Sequence, residues 1–297
     1  MTEPDATSRL KLGLPKGSLQ EATYALMKSA GFGVRESGRS YFPRCDDPEL
    51  EIALFRAQEM SRYVADGVMD AGITGRDWIV ENGNEDDMVD VAELSYSKAT
   101  SGGARWVLAV PRESDVNAPA DLAGRIVATE LVNTTRAYFQ RLGIDCTVEF
   151  SYGATEAKAR LVGGIVELTE TGSSLQANNL RVIDTVMETT TRFFANRYAW
   201  ADDWKRRKIE SLALLLTGAI DARGKVVLKM NVADDRLEAV LDMLPALKQP
   251  TVSQLAHGGG FAVETVCDRG LTRRLIPELK RAGAEGIIEY DLTKIVP

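Results

Sequence analysis

Apolar positions in the first 200 residues alternate between short continuous runs and runs at helical spacing. Leu10 to Leu14 is a short apolar run that reads as a strand, broken by Pro15-Lys16-Gly17-Ser18. Leu19, Ala22, Leu26, Met27 and Ala30 then recur at helical spacing, and Gly31 stops the helix. Glu51 to Phe55 is the next strand. Tyr63 and Val64 lie on a short helix ending near Gly67, and Ala71-Gly72-Ile73-Thr74-Gly75 is a buried strand entering a glycine turn. The acidic stretch from Glu81 to Asp87 reads as a solvated loop.

A second series begins near residue 95. Ala104 to Val110, Arg125 to Thr129, Thr147 to Phe150 and Ile165 to Leu168 are strands, with a helix over Asn133 to Leu142 closed by Gly143. Leu180 to Val186 and Arg192 to Ala195 return as strands, and Asp202 is placed to cap a long helix running to about Thr217. This alternation predicts an α/β architecture. From about Lys225 the order changes to strand, helix, strand, strand, helix, strand. The segments are Val226 to Met230, a face of Leu237, Val240, Leu241 and Leu244, Val252 to Leu255, Phe261 to Val266, a face of Leu271, Leu275, Leu279 and Ala282, and Gly286 to Tyr290. That order is the ferredoxin-like plan.

Composition narrows the chemistry. The chain has 297 residues, enough for roughly two domains, and 44% apolar residues supply more than one core. No run reaches the ~18 apolar residues of a membrane span, and the polar start from Met1 to Arg9 lacks a secretion signal. A formal charge of −7 disfavours a broad nucleic-acid surface but leaves room for a small anion held locally. Cys45, Cys146 and Cys267 are far apart and fit reduced thiols of a cytoplasmic protein. With His257 as the one histidine, in a glycine turn and read as solvated, a Ser-His-Asp triad or a multi-histidine metal site is excluded.

Three segments carry candidate chemistry. In Glu167-Leu168-Thr169-Glu170-Thr171-Gly172-Ser173-Ser174-Leu175, an apolar strand delivers two acids and then a small, hydroxyl-rich turn at a helix start. Such a turn lets main-chain N–H groups converge on a phosphate, while carboxylates bond ribose hydroxyls or hold magnesium through water. The alternative is a capped helix start with no ligand. Leu14-Pro15-Lys16-Gly17-Ser18 presents a lysine where a strand ends and a helix begins; an ordinary turn is the alternative. In Asp70-Ala71-Gly72-Ile73-Thr74-Gly75-Arg76-Asp77 the glycines permit close approach by a ligand, and Asp77 either shares in this or caps the next helix. Arg56, just after a strand, either reaches the same crevice or is simply exposed. Trp200 and Trp204 read as packing residues.

Taken in order, these segments resemble ATP phosphoribosyltransferase. The likeness runs from Leu12 to Pro297 and includes Val127-Ala128-Thr129 with Asn133-Thr134-Thr135-Arg136, Gly153-Ala154-Thr155-Glu156, Ala177-Asn178, Leu244-Pro245-Ala246-Leu247, Pro250-Thr251-Val252-Ser253 and Ala282-Gly283-Ala284-Glu285-Gly286. It implies two α/β lobes like those of periplasmic binding proteins around a crevice, followed by an ACT-like regulatory domain of ferredoxin-like α+β type. The implied boundaries are 1–94 with 188–210 for the first lobe, 95–187 for the second and 211–297 for the third domain. The implied reaction joins N1 of ATP's adenine to C1 of 5-phosphoribosyl 1-pyrophosphate (PRPP), releasing pyrophosphate, with Mg2+ as the pyrophosphate's partner. This is the first step of histidine biosynthesis.

By motif match, Glu167, Glu170, Thr171, Gly172, Ser173, Ser174 and Leu175 bind PRPP. Lys16, Gly17, Arg56, Asp70, Gly72, Thr74 and Glu156 face ATP or the pyrophosphate. No catalytic proton acceptor and no direct protein metal ligand is assigned. Asn231, Leu247, Thr251, Val266 and Gly286 correspond to a pocket for histidine as feedback ligand, with Asn231 where some members have aspartate. The likeness also implies a homo-oligomer, between dimer and hexamer, in the cytoplasm. The segment from Ala157 to Gly164 looks about two residues shorter than is usual in the family. The competing reading is a two-lobed small-anion binder or amino-acid sensor without catalysis.

Overall fold

The first apolar run is a strand inside a five-stranded sheet, and the chain builds outward from it. The computed structural model describes residues 8–36, 40–95, 103–245 and 249–296. Strand β1 (Leu10–Lys16) is followed by α1 (Gln20–Ala30), the small pair β2 (Val34–Arg35) and β3 (Arg44–Cys45), β4 (Leu50–Arg56), α2 (Ala57–Ala65), β5 (Ala71–Gly75), α3 (Arg76–Asn82) and β6 (Met88–Glu93). β1 runs on through Pro15, beyond the expected break. Its pairing with β5 has ended at Gly13, while its pairing with β4 continues to Lys16. A proline is tolerated where the ladder has one free side.

The second lobe contains β7 (Ala104–Pro111), β8 (Ile126–Thr129), α4 (Val132–Arg141), β9 (Thr147–Phe150), α5 (Thr155–Lys158), β10 (Gly164–Thr169), α6 (Ser173–Ala177) and β11 (Leu180–Thr189). Their sheet has the order β11-β7-β10-β8-β9. Strand β12 (Thr191–Asn196) then returns to the first lobe, whose sheet order is β4-β1-β5-β12-β6. The lobes are separate layered cores. Met60, Val64, Ile79 and Phe194 pack in the first, and Trp106, Leu108, Val127 and Phe139 in the second. The mixed sheets keep their parallel strands buried on both faces by flanking helices, which is why those strands are continuous apolar runs.

After α7 (Arg197–Ala201) comes α8 (Asp203–Asp221). The Asp202 carboxylate accepts from the amides of Trp204 (3.0 Å) and Lys205 (2.9 Å), the cap its position suggests. The chain divides into two compact units, and Leu214 and Leu215 mark the division inside this helix.

The second unit holds β13 (Lys225–Val232), α9 (Leu237–Leu241), β14 (Thr251–Gln254), β15 (Phe261–Asp268), α10 (Arg269–Arg281) and β16 (Glu285–Asp291). Its sheet, β14-β15-β13-β16, is antiparallel throughout. This is the ferredoxin-like order. Val226, Leu228, Met230 and Val263 point into its core with Leu275 and Leu279 of α10. Among the described residues no helix is long and apolar enough to cross a membrane.

Candidate active site

Parallel pairing decides which side chains meet at the crevice. β1 and β4 run parallel with Lys16 opposite Arg56, so two cations stand side by side at the carboxyl ends of neighbouring strands. In the second lobe β10 runs parallel to β8, with Val166 opposite Thr129, so Glu130 and the segment after Glu167 emerge together at the carboxyl ends of that sheet. Ligands of open α/β sheets settle at such ends. A cavity of about 500 Å³ lies there, lined from the first lobe by Lys16, Gly17, Arg56 and Gln58, and from the second by Glu130, Glu167, Leu168 and Glu170.

The first-lobe wall is cationic. The Lys16 ammonium rests 3.6 Å above the centre of the Tyr41 ring, which holds a long side chain in place without neutralising it. Gly17 has φ +106°, a left-handed turn that suits glycine, with no atom near its missing side chain. Arg56 is exposed at the entry to α2. Across the crevice, Gln58 donates to the Glu130 carboxylate at 3.3 Å.

The second-lobe wall is acidic and hydroxyl-rich. Burial, reinforced by the neighbouring charges of Glu156 and Glu130, pushes the Glu167 carboxyl up to about 7, against the pull of a hydrogen bond from Thr155. The turn after β10 is built by Gly172, at φ +78° with open space where a side chain would stand. Its amide donates to the Thr169 hydroxyl at 2.8 Å. Ser173 and Thr171 bond one another (3.0 Å), and Ser174 donates to the Glu156 carboxylate (2.5 Å). The turn therefore enters the short helix α6 with small, exposed residues. Among the described residues no three His, Cys, Asp or Glu side chains are grouped to hold a metal ion.

Several expected site residues lie elsewhere. Asp70 precedes β5 at the opposite end of the sheet. It is buried, accepts from the Lys11 amide (2.9 Å) and pairs with Lys205 of α8 (2.7 Å). Gly72 sits mid-strand, where an added Cβ would meet Met60 and Val64, so its role is close packing of α2 on the sheet. Thr74 is fully buried and its hydroxyl donates to the Ala57 carbonyl at 2.8 Å, fixing the start of α2. Leu175 is a core side chain beneath the turn. None of these four lines the crevice, and of the turn only Glu170 does: Thr171, Gly172, Ser173 and Ser174 lie just beyond it, with Glu156 bonded to Ser174.

The effector candidates lie in the second unit. Asn231 (opposite Ala262), Thr251 (opposite Glu264) and Val266 share the face of the sheet turned away from its buried core, and Gly286 is at the bulge of β16 beside Asn231's partner Glu285. Leu247 lies outside the described residues.

A profile described as ATP phosphoribosyltransferase matches residues 56–218, and one described as HisG, C-terminal domain, matches residues 222–294. The chain belongs to the ATP phosphoribosyltransferase family. The enzyme of that name from Pelotomaculum thermopropionicum is 54% identical over 290 residues, covering 97% of this chain and all of the relative. That from Solibacter usitatus is 56% identical over 288 residues, covering 97% and 99%. A chain of the ATP phosphoribosyl transferase (HisG:HisZ) complex from Thermotoga maritima superposes with a TM-score of 0.59 at 25% identity, covering 70% of this chain and 98% of that one.

In this family member the crevice also contains residues that sequence reading passed over. Gln58, Glu130, Trp78 and Trp106 line it, as do Thr189 to Thr191 where the chain crosses between lobes. They carry no local motif. The one signal in the sequence is Asp77, which borders the crevice and makes no side-chain cap of α3. Its carboxylate accepts from Trp106 and Thr189. Glu81, expected in a solvated loop, is a buried residue of α3.

Proposed function

We propose that this crevice catalyses the ATP phosphoribosyltransferase reaction, with PRPP held by the second lobe and the triphosphate or departing pyrophosphate met by the first. The observation that carries the reading is the opposition of Lys16 and Arg56 on one wall to Glu130, Glu167 and Glu170 on the other, with the Gly172 turn following directly after Glu170. Adenine N1 attacks C1 of the ribose as the bond to pyrophosphate breaks. Both electrons of that bond leave with pyrophosphate. The ribosyl centre becomes cationic on the way, so charge placement and alignment carry most of the rate. Carboxylates beside the ribose, Glu167 foremost, stabilise the developing charge and bind its hydroxyls. Lys16 and Arg56 neutralise the leaving anion.

Mg2+ enters as part of the substrate, bound to the diphosphate. Magnesium keeps several waters and takes one or two carboxylates beside substrate phosphates. No protein group is proposed to ligate it directly; Glu130 and Glu167, which line the crevice, would meet its bound waters. Histidine is the proposed feedback ligand, on the sheet face carrying Asn231 and Thr251. The working form is a homo-oligomer in the cytoplasm.

The test is an absorbance assay for the ATP adduct with ATP, PRPP, Mg2+ and a pyrophosphatase, with and without histidine. Adduct formation that needs all of the first three supports the reading. Tight PRPP binding with no adduct would favour a binding protein instead.

A further inference from the structure

Helix α3 follows β5 of the first lobe, yet three of its side chains are committed to the second. Asp77 is 2% exposed. Its carboxylate accepts from the Trp106 indole N–H on β7 at 2.7 Å and from the Thr189 hydroxyl at the lobe crossing at 3.0 Å. The carboxylate folds back over Gly75, where an added Cβ would lie 2.0 Å from it. Glycine is therefore required two residues before this aspartate. Trp78 packs against the second lobe's core and meets Trp106 edge to face, ring centres 5.9 Å apart.

One turn later, Glu81 caps a helix of the other lobe. Its two carboxylate oxygens accept from the amides of Asn133 and Thr134, each at 2.8 Å, and from the Thr134 hydroxyl at 2.9 Å. Asn133 returns a side-chain bond to the Glu81 carbonyl at 3.0 Å. The capping position of α4, Leu131, makes no side-chain cap of its own, so that helix takes its cap from across the crevice. Opening the lobes on this side would strand two buried carboxylates without donors, an arrangement proteins avoid.

We propose that α3 is a strap that fixes the separation of the two substrate-binding halves, with Asp77 and Glu81 as positioning residues for the transfer. The proposal rests on the reading of the crevice as the transfer site. Only a reaction between two substrates held by different lobes depends so steeply on that separation.

Hydrogen exchange at the Asn133 and Thr134 amides reads the far end of the strap in substrate-free protein, independently of activity. Asp77→Ala cuts the near end. The strap requires exchange at those α4 amides to speed at least tenfold, although neither touches Asp77. It also requires kcat to fall at least tenfold while the Kd of ATP and of PRPP, each measured alone, stays within threefold. Asp77→Asn keeps an acceptor for Trp106 and restores most of both properties. If Asp77→Ala does not fold, Trp106→Phe removes the same bond from the other lobe and is read by the α4 exchange alone, because its ring lines the crevice. Unchanged α4 exchange in a folded variant, or a kcat within twofold of wild type, overturns the strap. A wild-type protein that shows the exchange coupling but makes no ATP adduct overturns the reading of the site and leaves the mechanical link standing.

Discussion

The chemistry of the Glu167 carboxyl depends on where the fold places it. Its ordinary value of 4.5 rises to about 7 through burial and through Glu156 and Glu130. The folded chain thus holds a proton between those values that the unfolded chain releases. The stability this gives is complete below 4.5 and is lost as pH rises through 7. For binding, the charged form does the work, so PRPP affinity should strengthen between about pH 6 and 8. Glu167→Gln should bind PRPP more weakly and remove this protein-borne part of the pH dependence. Calorimetric titrations of both proteins across that range check it, and parallel pH profiles would exclude Glu167 as the titrating group. Gly172 offers a second residue-scale test. At φ +78° a valine is strained by about 1–3 kcal/mol, and its side chain would occupy the open space over the turn. Gly172→Val should lose at least tenfold in PRPP affinity while remaining folded by circular dichroism. Unaltered affinity would move the phosphate away from this turn.

At the scale of the element, the end of a strand matters more than its motif. Asp70 and Lys16 both flank apolar strands of one sheet, but β1 and β5 are parallel, with Leu12 opposite Ala71. Asp70 therefore lies at the start of its strand and Lys16 at the finish, on opposite edges of the lobe. The sequence Asp70 to Gly75 looks like one ligand loop because all its special residues are adjacent. In space they serve three tasks: the Asp70–Lys205 pair, the packing of α2, and room for Asp77. Asp70→Ala should consequently lower stability by roughly 1.5–3 kcal/mol, the range for a hydrogen bond to a charged group, with KM for ATP unchanged within twofold. Chemical denaturation and steady-state kinetics measure the two effects. A raised KM at full stability would return Asp70 to the site.

At the scale of the whole molecule, the chain joins a two-lobed unit to a ferredoxin-like one, each with its own core. The second unit presents Asn231 and Thr251 on an exposed sheet face. An aspartate at 231 would add a counter-charge for an amino group. At an exposed position such a pair is worth about 0.2–1 kcal/mol. Asn231→Asp should accordingly tighten histidine binding by about 1.5- to 5-fold, and a titration without change would place the effector elsewhere.

Most of the order of strands and helices, though not β2, β3 or β6, was legible along the chain, as were the ferredoxin-like order and the small-residue turn at Gly172. Each depends on local periodicity or on a backbone conformation that few residues accept. Lys16 and Arg56 were legible as cations at strand ends, but not as neighbours. Their adjacency comes from parallel register between strands forty residues apart. Asp77 and Glu81 lay furthest from view. A lone aspartate near a helix start reads as a ligand contact or a cap, and a glutamate in an acidic run reads as solvated. Only the packing of one lobe's helix against the other lobe's tryptophan and helix end buries those charges and gives them donors.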